Sequence, residues 1–202
     1  WLLLHGVILR TRPKKSAAAY AEVWEEEGSP LLTIAKAQVA GIEKRLADKI
    51  EGPFSVELAM RYGNPSIRDG LRKLREKGAE RILVLPLYPQ YSATTVGSTY
   101  DAVFDELKKW RFIPELRLIG QYADDPDYIK SLANTIREHW EAHGKAEKML
   151  FSFHGMPRRY LLNGDHYHCQ CQKTARLVAE HLELPDDYWQ VTFQSLFGRE
   201  VW

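Results

Sequence analysis

The chain has 202 residues, 45% of them hydrophobic and 27% charged, with a formal charge of +1. That is the composition of a globular protein with a sizeable core, and it provides no basic face for nucleic acid. The longest apolar stretch, Trp1–Leu4 with Val7–Leu9, is interrupted, too short to span a bilayer, and lacks the small-residue cleavage site of a signal peptide.

In chain order, Ser16–Glu27 reads as an Ala-rich helix stopped by Gly28-Ser29-Pro30. A second helix is predicted from Leu31 to Ile50, with Leu31, Ala35, Val39, Ile42, Leu46 and Ile50 on one face. Phe54–Arg61 reads as a strand, Gly63-Asn64-Pro65 as the loop after it, and Ser66 as the cap of a helix ending at Gly78. Arg81–Leu87 is a continuous apolar run, the pattern of a strand buried on both faces. A polar loop, Tyr88–Ser98, leads to a helix over Thr99–Trp110, a strand over Leu116–Gln121 and an amphipathic helix over Asp127–His143. The series restarts with a strand at Met149–Phe153, a helix at Gln172–Leu184 and a strand at Trp189–Phe193.

Strands alternating with long helices signify βαβ units and a parallel sheet, hence the α/β class. The long helix before Gly144 makes a bridge between two such sheets, so a domain boundary is expected near residue 145. No repeat or low-complexity segment is present. The chain opens inside an apolar segment and closes on Val201-Trp202, and it reads as a piece of a longer protein.

The stretch Lys148–Pro157 concentrates chemistry. An aromatic-rich strand stops at His154 because Gly155 and Pro157 cannot continue it, and the carboxyl end of a parallel strand is where open α/β sheets place ligands. His154 there can move a proton or bind a metal near neutral pH; a packed histidine bonded to a backbone carbonyl is the alternative. The hydroxyls of Ser92, Thr94, Thr95 and Ser98 lie before a helix and suit either an anionic group or helix capping. Cys169 and Cys171, with His166 and His168, offer zinc-type ligands at an unusually compact spacing. A solvent-exposed entry to the helix at Gln172 is the competing reading. The two cysteines are too few for a disulfide framework and too close to bridge, so a reducing compartment is expected. The basic run Arg10, Arg12, Lys14 and Lys15 suits carboxylates or plain solvent.

Taken together, several segments resemble the ferrochelatase family of the bacterial kind. They are Gly28-Ser29-Pro30, Met60–Pro65, Leu85–Ser92 with Thr94–Gly97, Phe151–Pro157, Gly164–Tyr167, and Thr192–Ser195 with Gly198 and Trp202, in family order along nearly the whole chain. The resemblance implies two Rossmann-like, chelatase-like α/β domains with parallel sheets and a porphyrin held between them. The first would span residues 1–145 without its opening strand; the second, incomplete, would span 146–202. It implies insertion of ferrous iron into protoporphyrin IX, the last step of heme synthesis. His154 would be the catalytic and metal-binding residue, and Arg12, Tyr20, Ser29, Arg61, Tyr62 and Tyr88 would contact the porphyrin. A coproporphyrin-type ferrochelatase, a cobalt chelatase and a non-catalytic tetrapyrrole-binding module are the competing readings.

The same resemblance sets further expectations. An Asn-Leu-Gly strand should precede Trp1, and a segment bearing the glutamate opposite His154 should follow Trp202, so the 202 residues would be inactive alone. Ala93 stands where animal members carry a cluster-binding cysteine, so no iron–sulfur cluster of that type and no tightly bound cofactor are expected; iron is substrate. A cytoplasmic location fits the reduced cysteines. Peripheral membrane contact through an amphipathic lip at Trp1–Leu9 stands beside internal packing of those residues. Oligomeric state is left open.

Overall fold

A computed structural model describes residues 17, 20–26, 28–195 and 201. Its elements in order are α1 (Pro30–Ala47), α2 (Ile67–Glu76), β1 (Arg81–Val84), a π-helical turn (Ala93–Gly97) running into α3 (Ser98–Leu107), β2 (Glu115–Leu118), α4 (Pro126–His143), β3 (Met149–His154), α5 (Arg158–Leu162), α6 (Tyr167–His181) and β4 (Trp189–Gln194). The chain groups into two compact units, Trp1–Lys77 and Gly78–Trp202. Residue 145, where the sequence pattern suggests a boundary, lies within the second unit, between its two sheets.

The second unit carries the two sheets found among the described residues. β1 pairs in parallel with β2 from Arg81↔Glu115 to Val84↔Leu118, and β3 pairs in parallel with β4 from Met149↔Trp189 to His154↔Gln194. Parallel partners cannot be joined by a tight hairpin, so each pair has a helical crossover: α3 in the first, α5 and α6 in the second. The α/β class read from the sequence is therefore observed.

α4 links the two sheets. Asp125 caps it, its Oδ1 accepting from the amides of Asp127 at 3.0 Å and Tyr128 at 3.2 Å, with Pro126 opening the first turn. Gly144, at φ +81°, stops it. α4 packs on α6, and the small residues buried on these helices, Ala133, Ala175 and Ala179, permit close approach. Val96, Val103 and Leu107 extend the buried set onto the π turn and α3.

The run Arg81–Leu87 departs from its expected burial. Ile82 is buried, but Leu83 is 61% exposed and Leu85 and Leu87 are exposed too. Apolar residues on both faces of a strand are covered only when both faces of the sheet are covered; in this two-stranded sheet, one is.

In the first unit, the stripe predicted for α1 is shallow. Ala35 is buried, Val39, Ile42 and Leu46 are half-buried, and Leu31 is exposed. α2 begins as the sequence requires: Ser66 Oγ accepts from the Asp69 amide at 3.2 Å, and the Asp69 carboxylate accepts from Ser66 Oγ at 2.6 Å and from its amide at 3.3 Å. Those bonds, the side-chain one first, hold the Asp69 carboxyl below its ordinary pKa. Among the described residues, the expected strand Phe54–Arg61 forms no ladder; its pairing there is an isolated bridge, Met60↔Ser66, with the Met60 amide donating to Pro65 O at 2.7 Å. The segment instead lies against α2, where a Cβ on Gly70 would stand 3.2 Å from Ala59 Cβ, and Lys77 Nζ reaches Glu57 at 2.6 Å and Ser55 at 2.7 Å. A strand exists only where a neighbour accepts its amides in succession, and among the described residues Pro65 accepts just one. The helix expected over Ser16–Glu27 lies partly outside the described residues; Ala17, Tyr20 and Ala21 are helical. No described helix is long and apolar enough to cross a membrane.

Candidate active site

His154 is the last residue of β3. Side chains alternate along that strand: Met149, Phe151 and Phe153 are half-buried, while Leu150, Ser152 and His154 are exposed on the opposite face. The half-buried side is aromatic. Phe153 meets Phe193 of β4 at 6.1 Å between centroids, and His168 stacks on Phe193 at 5.1 Å. The ladder closes where the buried Gly155 donates its amide to Gln194 O at 2.7 Å.

The imidazole Nδ1 lies 2.6 Å from Gly155 O. A carbonyl can only accept, so Nδ1 carries the hydrogen and the ring lone pair sits on Nε2. Both sequence readings of this residue therefore meet in one place. The backbone carbonyl bond is present, and the ring is nonetheless at the surface, at the carboxyl end of a parallel strand.

The loop after β1 is tied down by polar contacts from far along the chain. Gln90 Nε2 donates to Thr174 Oγ1 at 3.0 Å, which donates to Ala123 O at 2.7 Å. The Tyr91 amide donates to Gln170 Oε1 at 2.6 Å. Ser92, fully buried, donates from Oγ to Asp165 Oδ2 at 2.9 Å, and the Ala93 amide reaches the same oxygen at 2.9 Å. Ser92 caps the π turn, its Oγ accepting from the Thr94 amide at 3.3 Å, and Thr95 donates to Ser92 O within the same turn at 3.3 Å. Of the two readings of this loop, capping is the one observed, and the seat suited to an anion holds the chain's own carboxylate. Tyr88, at the start of the loop, is exposed.

α6 begins at Tyr167, five residues ahead of the expected Gln172, which places both cysteines within the helix. Residues two apart on a helix point to opposite sides; Cys169 is exposed and Cys171 is fully buried. They cannot converge on one ion, and among the described residues no group of three His, Cys, Asp or Glu side chains could hold a metal. Burial pushes the Cys171 thiol up to about 12. The Tyr167 phenol is likewise raised, first by burial and then by its neighbour Cys171.

In the first unit, Tyr20 is exposed on its helical segment. Ser29 is half-buried before α1, its carbonyl accepting the amides of Leu32 at 2.9 Å and Thr33 at 3.0 Å. Arg61 and Tyr62 are brought together, the guanidinium carbon 4.7 Å from the centre of a ring that is 74% exposed. Arg12, the basic run around it and Trp1–Leu9 lie outside the described residues. Beyond His154, Arg159 stands 5.3 Å from the Tyr160 ring on α5, a short helix the sequence reading did not contain. Also missed were the roles of Gln90, Gln170 and Asp165. Asp after Gly ahead of a helix is a capping signal for the last of these, but nothing local points to its partners.

The fold and this site define an α/β protein with parallel strands and helical crossovers, presenting a histidine at a strand's carboxyl end. A family profile described as ferrochelatase matches residues 1–202. Similar curated proteins include the ferrochelatase of Thioalkalivibrio sulfidiphilus, 55% identical over the whole chain and 55% of that relative, and that of Nitrosococcus oceani, 54% identical with the same coverage. The protein called ferrochelatase 2 in Shewanella oneidensis is 50% identical over the whole chain and 61% of its own length. The chain belongs to the ferrochelatase family, and it spans about half the length of the curated relatives it matches.

Proposed function

We propose that the full-length protein is a lyase that inserts ferrous iron into protoporphyrin IX, the last step of heme biosynthesis. The observation that carries this reading is a surface-facing histidine at the end of β3, in a chain matched to ferrochelatases throughout its 202 residues. The reaction removes two protons from pyrrole nitrogens as Fe²⁺ enters the ring. His154 meets that need: with Nδ1–H held on Gly155 O, Nε2 has the lone pair that takes a pyrrole proton or meets the incoming iron.

Porphyrin is a flat apolar disc with carboxylate arms, and aromatic walls plus arginine suit it. Tyr20, Ser29, Arg61, Tyr62, Tyr88 and Arg12 are assigned to that contact. The Arg61–Tyr62 pair supplies both chemistries from adjacent residues. Iron is substrate, and the reading calls for no tightly bound cofactor. It includes a cytoplasmic enzyme, a division of the parent into chelatase-like domains near residue 145, and peripheral membrane contact where the poorly soluble porphyrin is exchanged. Nucleic acid has no part in it.

Substitution His154→Ala in the full-length protein tests the assignment. Metal insertion is expected to fall at least about a hundredfold, while porphyrin binding, followed by fluorescence, stays within about tenfold. Undiminished insertion would remove His154 from the chemistry. An inert parent that still binds porphyrin would make the protein a tetrapyrrole-binding module, and faster insertion into a four-propionate porphyrin would change the substrate.

A further inference from the structure

From His154 the chain leaves the sheet through Gly155-Met156-Pro157, forms α5, and returns at Asp165 to begin α6. Both ends of this excursion rest on the same turn. At the outgoing end, Thr94 Oγ1 donates to Met156 Sδ at 3.9 Å, and the same hydroxyl lies 3.0 Å from Ser92 Oγ. At the returning end, Asp165 Oδ2 accepts from Ser92 Oγ and the Ala93 amide, each at 2.9 Å, while Oδ1 accepts from the Tyr167 amide at 3.0 Å. The Asp165 amide donates to Tyr160 O at 2.9 Å, which fixes α5 to the same residue.

This carboxylate meets the first amide of the π turn and the first amide of α6, so it faces the positive ends of two helical segments at once. Its three hydrogen bonds are charge-assisted. An asparagine could not replace it, because it presents one acceptor oxygen and turns N–H donors toward donors.

We propose that Asp165 is a positioning residue for His154, stapling the segment that follows the histidine to the Ser92–Thr94 turn and so setting where the imidazole meets the metal. This rests on the reading of His154 given above. Its hydrogen bonds go to the chain's own Ser92, Ala93 and Tyr167, and its action is on the geometry of the strand end.

The test uses the full-length protein with Asp165→Asn, Ser92→Ala, their combination, and His154→Ala as the reference. Steady-state insertion of ferrous iron, porphyrin binding by fluorescence and thermal unfolding are measured on each. Asp165→Asn is expected to raise the KM for iron and lower kcat/KM for iron by about ten- to a hundredfold, the scale of a misplacement near 1 Å. Porphyrin Kd should change less than about threefold, because ring binding is a separate contact. Ser92→Ala should move the same parameters by less, and the double variant should fall short of the product of the singles. A cap that is only structural would lower the folded fraction and the apparent kcat while leaving the KM for iron unchanged, and that result overturns the proposal. So do wild-type constants in Asp165→Asn alongside a disabled His154→Ala. If Asp165→Asn fails to fold, Ser92→Ala decides by the same criterion. Full activity in His154→Ala would instead sink the reading of the histidine, whatever Asp165 does.

Discussion

Of the fifteen buried apolar side chains among the described residues, three, Ala35, Ile67 and Leu71, belong to Trp1–Lys77 and the other twelve to Gly78–Trp202. Both regions show apolar runs alternating with amphipathic helices, so hydrophobic content does not separate them. Strand pairing does. In the second region each strand has a parallel neighbour, and the crossover helices give its side chains something to bury against. In the first, Phe54–Arg61 joins no ladder among the described residues, and α1 keeps Leu31 and Ile34 at the surface. Periodicity proposes a buried face, and only a closed crossover provides the cover.

The sharpest way to break this comparison is to remove equal side chains from the two regions of the full-length protein. Leu107→Ala, at a site 3% exposed, should cost about 2–5 kcal/mol in urea unfolding. A cost near zero would mean that the twelve residues do not act as one core.

Alkali probes the same burial without a substitution. Burial raises Cys171 from 9.0 to about 12, and burial followed by the nearby Tyr128 raises Tyr122 from 10.0 to about 12. An acid whose folded pKa exceeds its unfolded value keeps its stabilisation in full below the unfolded pKa and loses it as pH climbs toward the folded one. The second region should therefore weaken from about pH 9 upward, read as a falling urea midpoint between pH 8 and 11. Cys171→Ala should flatten the start of that decline, and an unchanged midpoint across the range would contradict the burial of both groups.

A smaller effect separates local from tertiary support. Asp125→Ala removes the cap of α4 and should cost about 1 kcal/mol. The smallest expected change is Leu31→Ala, at a residue 67% exposed, which should lie within about 0.5 kcal/mol of wild type. A loss as large as that of Leu107→Ala would show that α1 is covered in the full-length protein, and the contrast between the regions would disappear.

The candidate site divides along the same line of local against distant causes. The end of β3 at His154 is legible because Gly155 weakens a strand and Pro157 has no amide to continue the ladder, and the start of α2 is legible because Ser66 and Asp69 cap it within one turn. α4, expected over Asp127–His143, is found over Pro126–His143 for the same reason. The placement of Cys169 and Cys171 on opposite sides of α6 was not foreseen, because it depends on a helix start that a weak signal at Asp165 concealed.

By itself, then, the amino-acid order determined the α/β class, the alternation of strands and helices from Arg81 onward apart from α5, the strand that ends in His154 and membership of a recognisable family. Those follow from periodicity, capping and turn chemistry, each acting over a few residues. Only the tertiary structure decided that Leu83 stays in the open, that Phe54–Arg61 joins no ladder among the described residues, and that Asp165 closes on Ser92 and Ala93. The last of these joins residues 73 and 72 positions apart. A hydrogen bond across that distance forms because the folded chain returns to the same place, and no local pattern encodes the return.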